Sequence, residues 1–253
     1  MRLEHRRRAA SCALAVALLA SGVAGAGPLD LTVLQSAPQS GGGTSYSVPL
    51  QLLLLMSALT ILPSLLLMAT SFTRIIIVLS ILRQALGTAQ TPPNQVLIGV
   101  ALVASMLVMQ PTYEKLQQEA IAPFIAGQMA GDLALSRGLQ VVKTFMLANT
   151  KEADVIAFAD LVGAKNYARV ADIPMSIAAP AFVVSEMRTG FEMGFMLFIP
   201  FLVIDLVIAS ILMSLGMMMV SPMLVSLPFK LLLFVSVDGW AMTIGSLVQS
   251  YGK

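Results

Sequence analysis

Residues 50–69 read LQLLLLMSALTILPSLLLMA, an apolar stretch without a charged residue, interrupted only by Gln51, Pro63 and a few hydroxyl side chains. An α-helix needs about 20 residues to cross a hydrocarbon layer about 30 Å thick, and this stretch has that length. The composition of the whole chain agrees with a membrane-type helix. Of its 253 residues, 57% are hydrophobic and 11% are charged, whereas about 25% are charged in an ordinary soluble domain.

Further apolar segments follow, and a polar insert divides the set into two pairs. These segments cover residues 96–109, 193–215 and 227–248. Between them, residues 111–192 hold 9 acidic and 7 basic residues. We therefore predict an all-α integral membrane-type protein with four such helices. A first helical hairpin (50–110) and a second (193–253) would flank an external helical domain (111–192).

The N-terminal residues have the layout of a secretory signal peptide. A basic stretch precedes the apolar residues 13–20, and Ala24-Gly25-Ala26 forms a small-x-small cleavage pattern. We expect residues 1–26 to be cleaved. Residues 27–49, rich in Gly, Pro and Ser, are expected to form a flexible linker on the outer side of the membrane.

The composition excludes several classes of function. The single histidine and cysteine, His5 and Cys12, lie in the predicted signal peptide, which excludes disulfides, thiol or Ser-His-Asp catalysis and His/Cys zinc sites in the mature chain. The 15 basic and 13 acidic residues give a net charge of +2, without the basic excess that nucleic-acid binding needs. A phosphate-binding G-x-x-x-x-G-K-[ST] loop is absent. We expect no catalytic site, cofactor, metal or nucleic-acid partner.

Two arginines indicate the orientation in the membrane. Arg74 and Arg83 are the only charged residues between Leu31 and Tyr113. We predict that they lie in a short connection between the first two helices, which the positive-inside rule places in the cytoplasm. A signal peptide places the mature N-terminus outside, in agreement. Four crossings would then return the C-terminus to the outer side, and residues 111–192, after the first two crossings, would also lie outside, in the periplasm.

The apolar regions contain residues that a simple anchor does not need. Breaks are predicted at Pro63, Pro200, Gly216, Pro222 and Pro228, and backbone groups freed there must face protein or a water-filled path. Five methionines lie beside two of these breaks: Met213, Met217, Met218, Met219 and Met223. Neighbouring residues of a helix point about 100° apart, so three consecutive methionines do not share one face. They either form a soft collar in a bent loop or fill irregular packing between broken helices.

Besides the terminal Lys253, the second hairpin contains three charged residues: Asp205, Lys230 and Asp238. An ionisable group in a membrane segment marks a functional site by default. A structural charge pair, placement at a helix end and proton handling each fit these residues. The two aspartates would also suit an intramembrane aspartyl protease, although its G-x-G-D pattern is absent. A small-solute carrier is a further alternative, since broken helices are natural there.

Two long blocks of sequence resemble the FliP family of flagellar type III export-gate proteins, called SctR in virulence-associated secretion systems. The first block is TSFTRIIIVLSILRQALGTAQTPPNQVLIG at residues 70–99. The second lies within residues 198–240 and includes FIPFLVIDL, GMMMVSPM and LPFKLLLFVSVDGW. With the signal peptide and the polar insert in their expected places, the resemblance covers essentially the whole mature chain.

The resemblance implies a non-enzymatic protein-export gate in the bacterial inner membrane, at the flagellar basal body. Copies of the chain, a pentamer by the resemblance, would join FliQ and FliR in a helical, ring-like channel for unfolded export substrates, with FlhB and FlhA nearby. The methionines around Met217 to Met219 would form a gasket that narrows the closed channel. Glu186 would pair with Lys230 of a neighbouring subunit, while Asp205 and Asp238 receive no partner.

Overall fold

A computed structural model of the chain describes residues 47–88, 90–163, 167, 172–217 and 219–251. The predicted signal peptide, nearly all of the predicted linker and Met218 lie outside the described residues. By its contacts the chain divides into two units, residues 1–60 and 61–253. Every element after the first helix belongs to the second unit.

The described residues form α-helices and one π-helical turn. The helices are α1 Ser47–Met68, α2 Phe72–Ala85, α3 Asn94–Leu116, the π-helical turn Gln117–Ile121, α4 Ala122–Ile125, α5 Gly131–Ala148, α6 Glu152–Leu161, α7 Met175–Ser214, α8 Pro222–Ser236 and α9 Gly239–Gln249. The all-α prediction is confirmed.

In the described part of the chain, two continuous stretches of helix are long and apolar enough to cross a membrane. They are Asn94–Ile125, which continues α3 through the π-helical turn, and the 40-residue α7. Two pairs of helices pass the same test only when taken together across a bend, namely Leu52–Met68 with α2 and α8 with α9. Counting each bent pair as one span gives up to four spans, which agrees with a membrane-type protein.

Helix α2 lies at the centre of the second unit. Its buried apolar residues are Ile75, Val78, Leu79, Leu82 and Ala85, which recur three or four residues apart and so share one face. One end of this face packs against α3 and α9 through Leu97, Ala101, Ala104 and Leu247. The other end packs against Phe201 of α7 and Phe234 of α8. Gly87, at φ 77°, ends the helical region in the left-handed conformation common after helices.

Two glycines of α7 allow α2 to lie close to it. A Cβ atom on Gly194 would lie 2.4 Å from Cδ1 of Ile81, and one on Gly190 would lie 3.2 Å from Cγ2 of Ile77. Within a membrane, lipid tails are as apolar as the side chains, so close packing across small residues stabilises helix pairs. The Gly190-x-x-x-Gly194 spacing therefore determines how near the two helices approach.

Several predicted breaks and boundaries fall inside helices. Helices α1, α7 and α8 continue through Pro63, Pro200 and Pro228, because a proline removes only one N–H from the ladder and a modest bend relieves its ring. Gly216 and Pro222 do bound a break: Gly216 has φ 72°, and Pro222 is the first residue of α8, a favoured place for proline. The boundary predicted after residue 192 lies inside α7, and that after residue 110 inside α3.

Candidate functional site: ion pairs at the two ends of helix α2

A buried ion pair lies at the N-terminal end of α2. Arg74, in the first turn, donates from Nη2 to Oε1 of Glu186, and from Nε to Oε2 at 3.1 Å. Two parallel N–H bonds to one carboxylate form the strong bidentate arrangement of arginine. The side chains are 5% and 0% exposed, so water screens neither charge. The pair joins α2 to α7.

Two residues after α9 complete this pair. Arg74 Nη1 donates to Ser250 Oγ at 3.0 Å, and its Cζ lies 3.9 Å from the centroid of the Tyr251 ring, within cation–π range. The Tyr251 hydroxyl donates to Oε2 of Glu186. Burial, and next the negative charge of Glu186, raise the pKa of Tyr251 above its ordinary value, so the phenol stays protonated and donates at neutral pH.

A second ion pair lies at the C-terminal end of α2. Lys230 of α8 donates from Nζ to Oδ2 of Asp205 on α7 at 2.6 Å, and to the carbonyl of Ala85, the last residue of α2, at 3.1 Å. Ser226, one turn before Lys230, donates to Oδ1 of Asp205 at 2.5 Å. A cation at a helix C-terminus is favourable because the carbonyl ends of the peptide dipoles point towards it. The lysine side chain is 3% exposed and that of the aspartate 35%.

Both ion pairs connect an end of α2 to α7. Helix α7 supplies both carboxylates, and the cations lie at opposite ends of α2, which is thereby attached to α7 twice. Removing one partner of a fully buried pair costs roughly 3–5 kcal/mol. The Lys230–Asp205 pair is worth less, because about a third of the aspartate side chain reaches solvent.

The predicted pair between Glu186 and Lys230 of different subunits stays a prediction. Within one chain each of the two residues has another partner, Arg74 for Glu186 and Asp205 for Lys230. The structure thus supplies the partner of Asp205 that sequence reasoning left open. The sequence indicates this pairing in part, since Lys230 is the only basic residue between residue 193 and the terminal Lys253 and so the only cation of that region for Asp205.

The prediction that Arg74 and Arg83 lie in a connection between two helices is wrong, because both lie within α2. Arg74 and Arg83 occupy the first and last turns of α2, since the apolar residues between them have helical spacing. Arg83 Nη1 donates to the Pro92 carbonyl at 3.2 Å and to Asn94 Oδ1 at 2.6 Å, which holds the turn that leads to α3. The cytoplasmic location of this turn stays a prediction.

Asp238 lies at the bend between α8 and α9, apart from the ion pairs. It has φ 50° and ψ 51°, and the two helices differ in direction by 62°. Its side chain is exposed. Two aspartates that share a proton must be in contact. The described contacts do not join Asp238 to Asp205, whose two oxygens bind Lys230 and Ser226. Groups of three metal-binding side chains are also not found in the described part of the chain.

The methionines lie where α7 ends and α8 has not yet begun. Met213 is in the last turn of α7, Met223 in the first turn of α8, and Met217 and Met219 in the loop between them. All four are exposed, and Met219 is fully so. Met217 and Met219 therefore do not continue a helix. Whether this loop seals a channel depends on other subunits, and the gasket role stays a prediction.

Comparison with known proteins gives a consistent result. A model of the FliP family matches residues 55–247. The flagellar biosynthetic protein FliP of Cereibacter sphaeroides is 60% identical over 216 residues, which cover 85% of this chain and 72% of that protein. The proteins of the same name from Pectobacterium carotovorum and Bacillus subtilis are 51% and 44% identical, over 85% and 82% of this chain and 83% and 94% of theirs.

Proposed function

The chain belongs to the FliP family, and we propose that it is a core subunit of the flagellar type III protein export gate. In this role it forms the channel that passes unfolded flagellar proteins across the inner membrane. The observation that carries the proposal is the match over residues 55–247, which includes both ion pairs except for Ser250 and Tyr251. Its activity is passage of a polypeptide rather than a chemical reaction.

The distribution of apolar side chains supports assembly with other subunits. The buried residues Arg74, Glu186 and Lys230 have ion-pair partners inside the chain, while Val103, Phe195 and Leu232 are 69%, 64% and 69% exposed. Patches of this kind need lipid or protein to cover them. We assign the cover to copies of this chain, a pentamer, together with FliQ and FliR, and we place FlhA and FlhB beside the complex.

The loop between α7 and α8 supports a gasket. An unbranched thioether side chain is apolar enough to exclude ions and flexible enough to deform around a polypeptide of any sequence. The exposed Met217 and Met219 are free to meet the same loop of other copies. We propose that Met213, Met217, Met218, Met219 and Met223 together narrow the closed channel.

The proposed membrane topology rests on the segments recognised in the sequence. Residues 1–26 act as a signal peptide, residues 27–49 as an outer linker, and residues 111–192 as the periplasmic helical domain between the two hairpins. The complex stands in the inner membrane at the flagellar basal body. An inter-subunit pair between Glu186 and Lys230 would require both residues to leave the partners they have within the chain.

Complementation tests this function. A flagellated bacterium deleted for its own FliP is given this chain or an empty vector, and swimming and the hook protein secreted into the medium are measured. We expect the chain to restore both. Secretion at the vector level, with the chain present in the inner membrane in normal amounts and FliQ and FliR intact, would contradict the proposal.

A further inference from the structure

The segment formed by Ser250 and Tyr251 closes over the ion pair of Arg74 and Glu186. These four residues come from three places in the chain: the first turn of α2, the N-terminal third of α7, and the turn that follows α9. Tyr251 is 65 positions from Glu186 in sequence, and Ser250 is 176 positions from Arg74. The ion pair is therefore complete only when α9 has packed in place.

Both members of the pair need what this segment supplies. The carboxylate of Glu186 is fully buried and has room for about four hydrogen bonds, of which Arg74 provides two. A buried charge with unfilled hydrogen-bonding capacity is unfavourable. Arg74 lies in the first turn of α2, where the helix macrodipole disfavours a cation. The Ser250 oxygen and the face of the Tyr251 ring offset this effect.

We propose that Ser250 and Tyr251 are positioning residues that hold Arg74 and Glu186 in the geometry in which the chain enters the gate. Docking of α9 is thus coupled to the α2–α7 contact, and a chain whose α9 is displaced has an incomplete ion pair. The inference rests on the proposed function for its consequence in assembly. Its structural part concerns the single chain alone.

The alternative is that Tyr251 only fills space. Its ring stacks on Phe145, with the centroids 6.3 Å apart and the planes 15° from parallel. Tyr251→Phe separates the two possibilities because it keeps the ring and removes the hydroxyl. Tyr113 provides a matched control, since Tyr113→Phe makes the same chemical change at a side chain of α3 that is 58% exposed.

The first measurement is the share of the membrane-inserted chain that co-purifies with FliQ and FliR. We expect Tyr251→Phe to lower this share at least about tenfold relative to Tyr113→Phe, the effect of losing one hydrogen bond to a charged group. In a Glu186→Gln background the same change should have little further effect, because the charged acceptor is already gone. A purely space-filling ring would leave Tyr251→Phe equal to its control in both backgrounds, and that result would overturn the proposal.

The second measurement does not need partners. Trp240, the only tryptophan, lies in the first turns of α9 and packs edge-on against Phe234 with centroids 5.3 Å apart. We expect Tyr251→Phe to make Trp240 of the purified chain more accessible to a fluorescence quencher, and Tyr113→Phe to leave it unchanged. Failure of the unsubstituted chain to assemble with FliQ and FliR would refute the proposed function. Unchanged Trp240 quenching in Tyr251→Phe would refute the coupling of α9 to the ion pair.

Discussion

Reversing both charges of the Arg74–Glu186 pair tests whether the pair forms within one chain. Each single reversal places two like charges in contact at a site where the side chains are 5% and 0% exposed. We expect each to lower the free energy of unfolding by at least the roughly 3–5 kcal/mol of a broken buried pair. That is more than a hundredfold in the folded-to-unfolded ratio, since about 1.4 kcal/mol is tenfold.

The double variant Arg74→Glu/Glu186→Arg should recover a large part of this loss. The summed length of the two side chains is unchanged, and an acid in the first turn of α2 suits the helix macrodipole better than the native arginine does. Recovery stays partial because the Tyr251 hydroxyl loses its carboxylate acceptor. Denaturant titration of the purified chain in detergent, followed by Trp240 fluorescence, measures the free energy.

The competing swap, Glu186→Lys/Lys230→Glu, provides the control. Within one chain it places a lysine beside Arg74 and a glutamate beside Asp205, so we expect the double variant to be worse than either single one. An inter-subunit pair predicts instead that this swap restores assembly with FliQ and FliR. Recovered assembly in this variant, together with none in Arg74→Glu/Glu186→Arg, would refute the intrachain pairing.

Three further predictions follow from the remaining contacts. Replacing Met217–Met219 with alanine should let ions leak through the membrane while export continues, and unchanged conductance in the triple variant would argue against a gasket. Gly194→Ala should disrupt the packing of α2 on α7, because its Cβ would lie 2.4 Å from a neighbouring side chain. Gly99→Ala should be tolerated, because its Cβ would meet nothing within 4 Å. The melting temperatures of the two variants measure the difference. Lys230→Met should lower the free energy of unfolding by about 1–3 kcal/mol, less than Glu186→Ala does, because Asp205 is partly solvated. Equal losses of the two variants in denaturant titration would contradict this ranking.

The class of fold was predictable because it depends on composition along the chain. Residues 50–69 already indicate a membrane-type helix, and the charges of residues 111–192 separate the two apolar regions. Helix α2 was predictable in principle, since its apolar residues recur at helical spacing between Arg74 and Arg83. The positive-inside rule predicts a connection there instead, because it gives weight to charge and not to that spacing.

The ion pairs could not be derived from sequence because their members are distant and follow no local pattern. Arg74 and Glu186 are 112 positions apart, and Lys230 and Asp205 are 25 apart on helices separated by a loop. The proline breaks were overestimated for a related reason. A proline in the sequence indicates that one backbone N–H donor is missing. Whether the helix bends or ends there depends on what packs around it. Gly190 and Gly194 were not predicted, although the sequence contains their four-residue spacing, which is a signal of close helix packing.

The central claim is that this chain builds the export gate together with copies of itself and with FliQ and FliR. Native mass spectrometry of the complex, purified from membranes that contain all three proteins, tests it most directly. We predict a single assembly that holds a pentamer of this chain with FliQ and FliR bound. A chain that stays monomeric in the presence of both partners would contradict the claim.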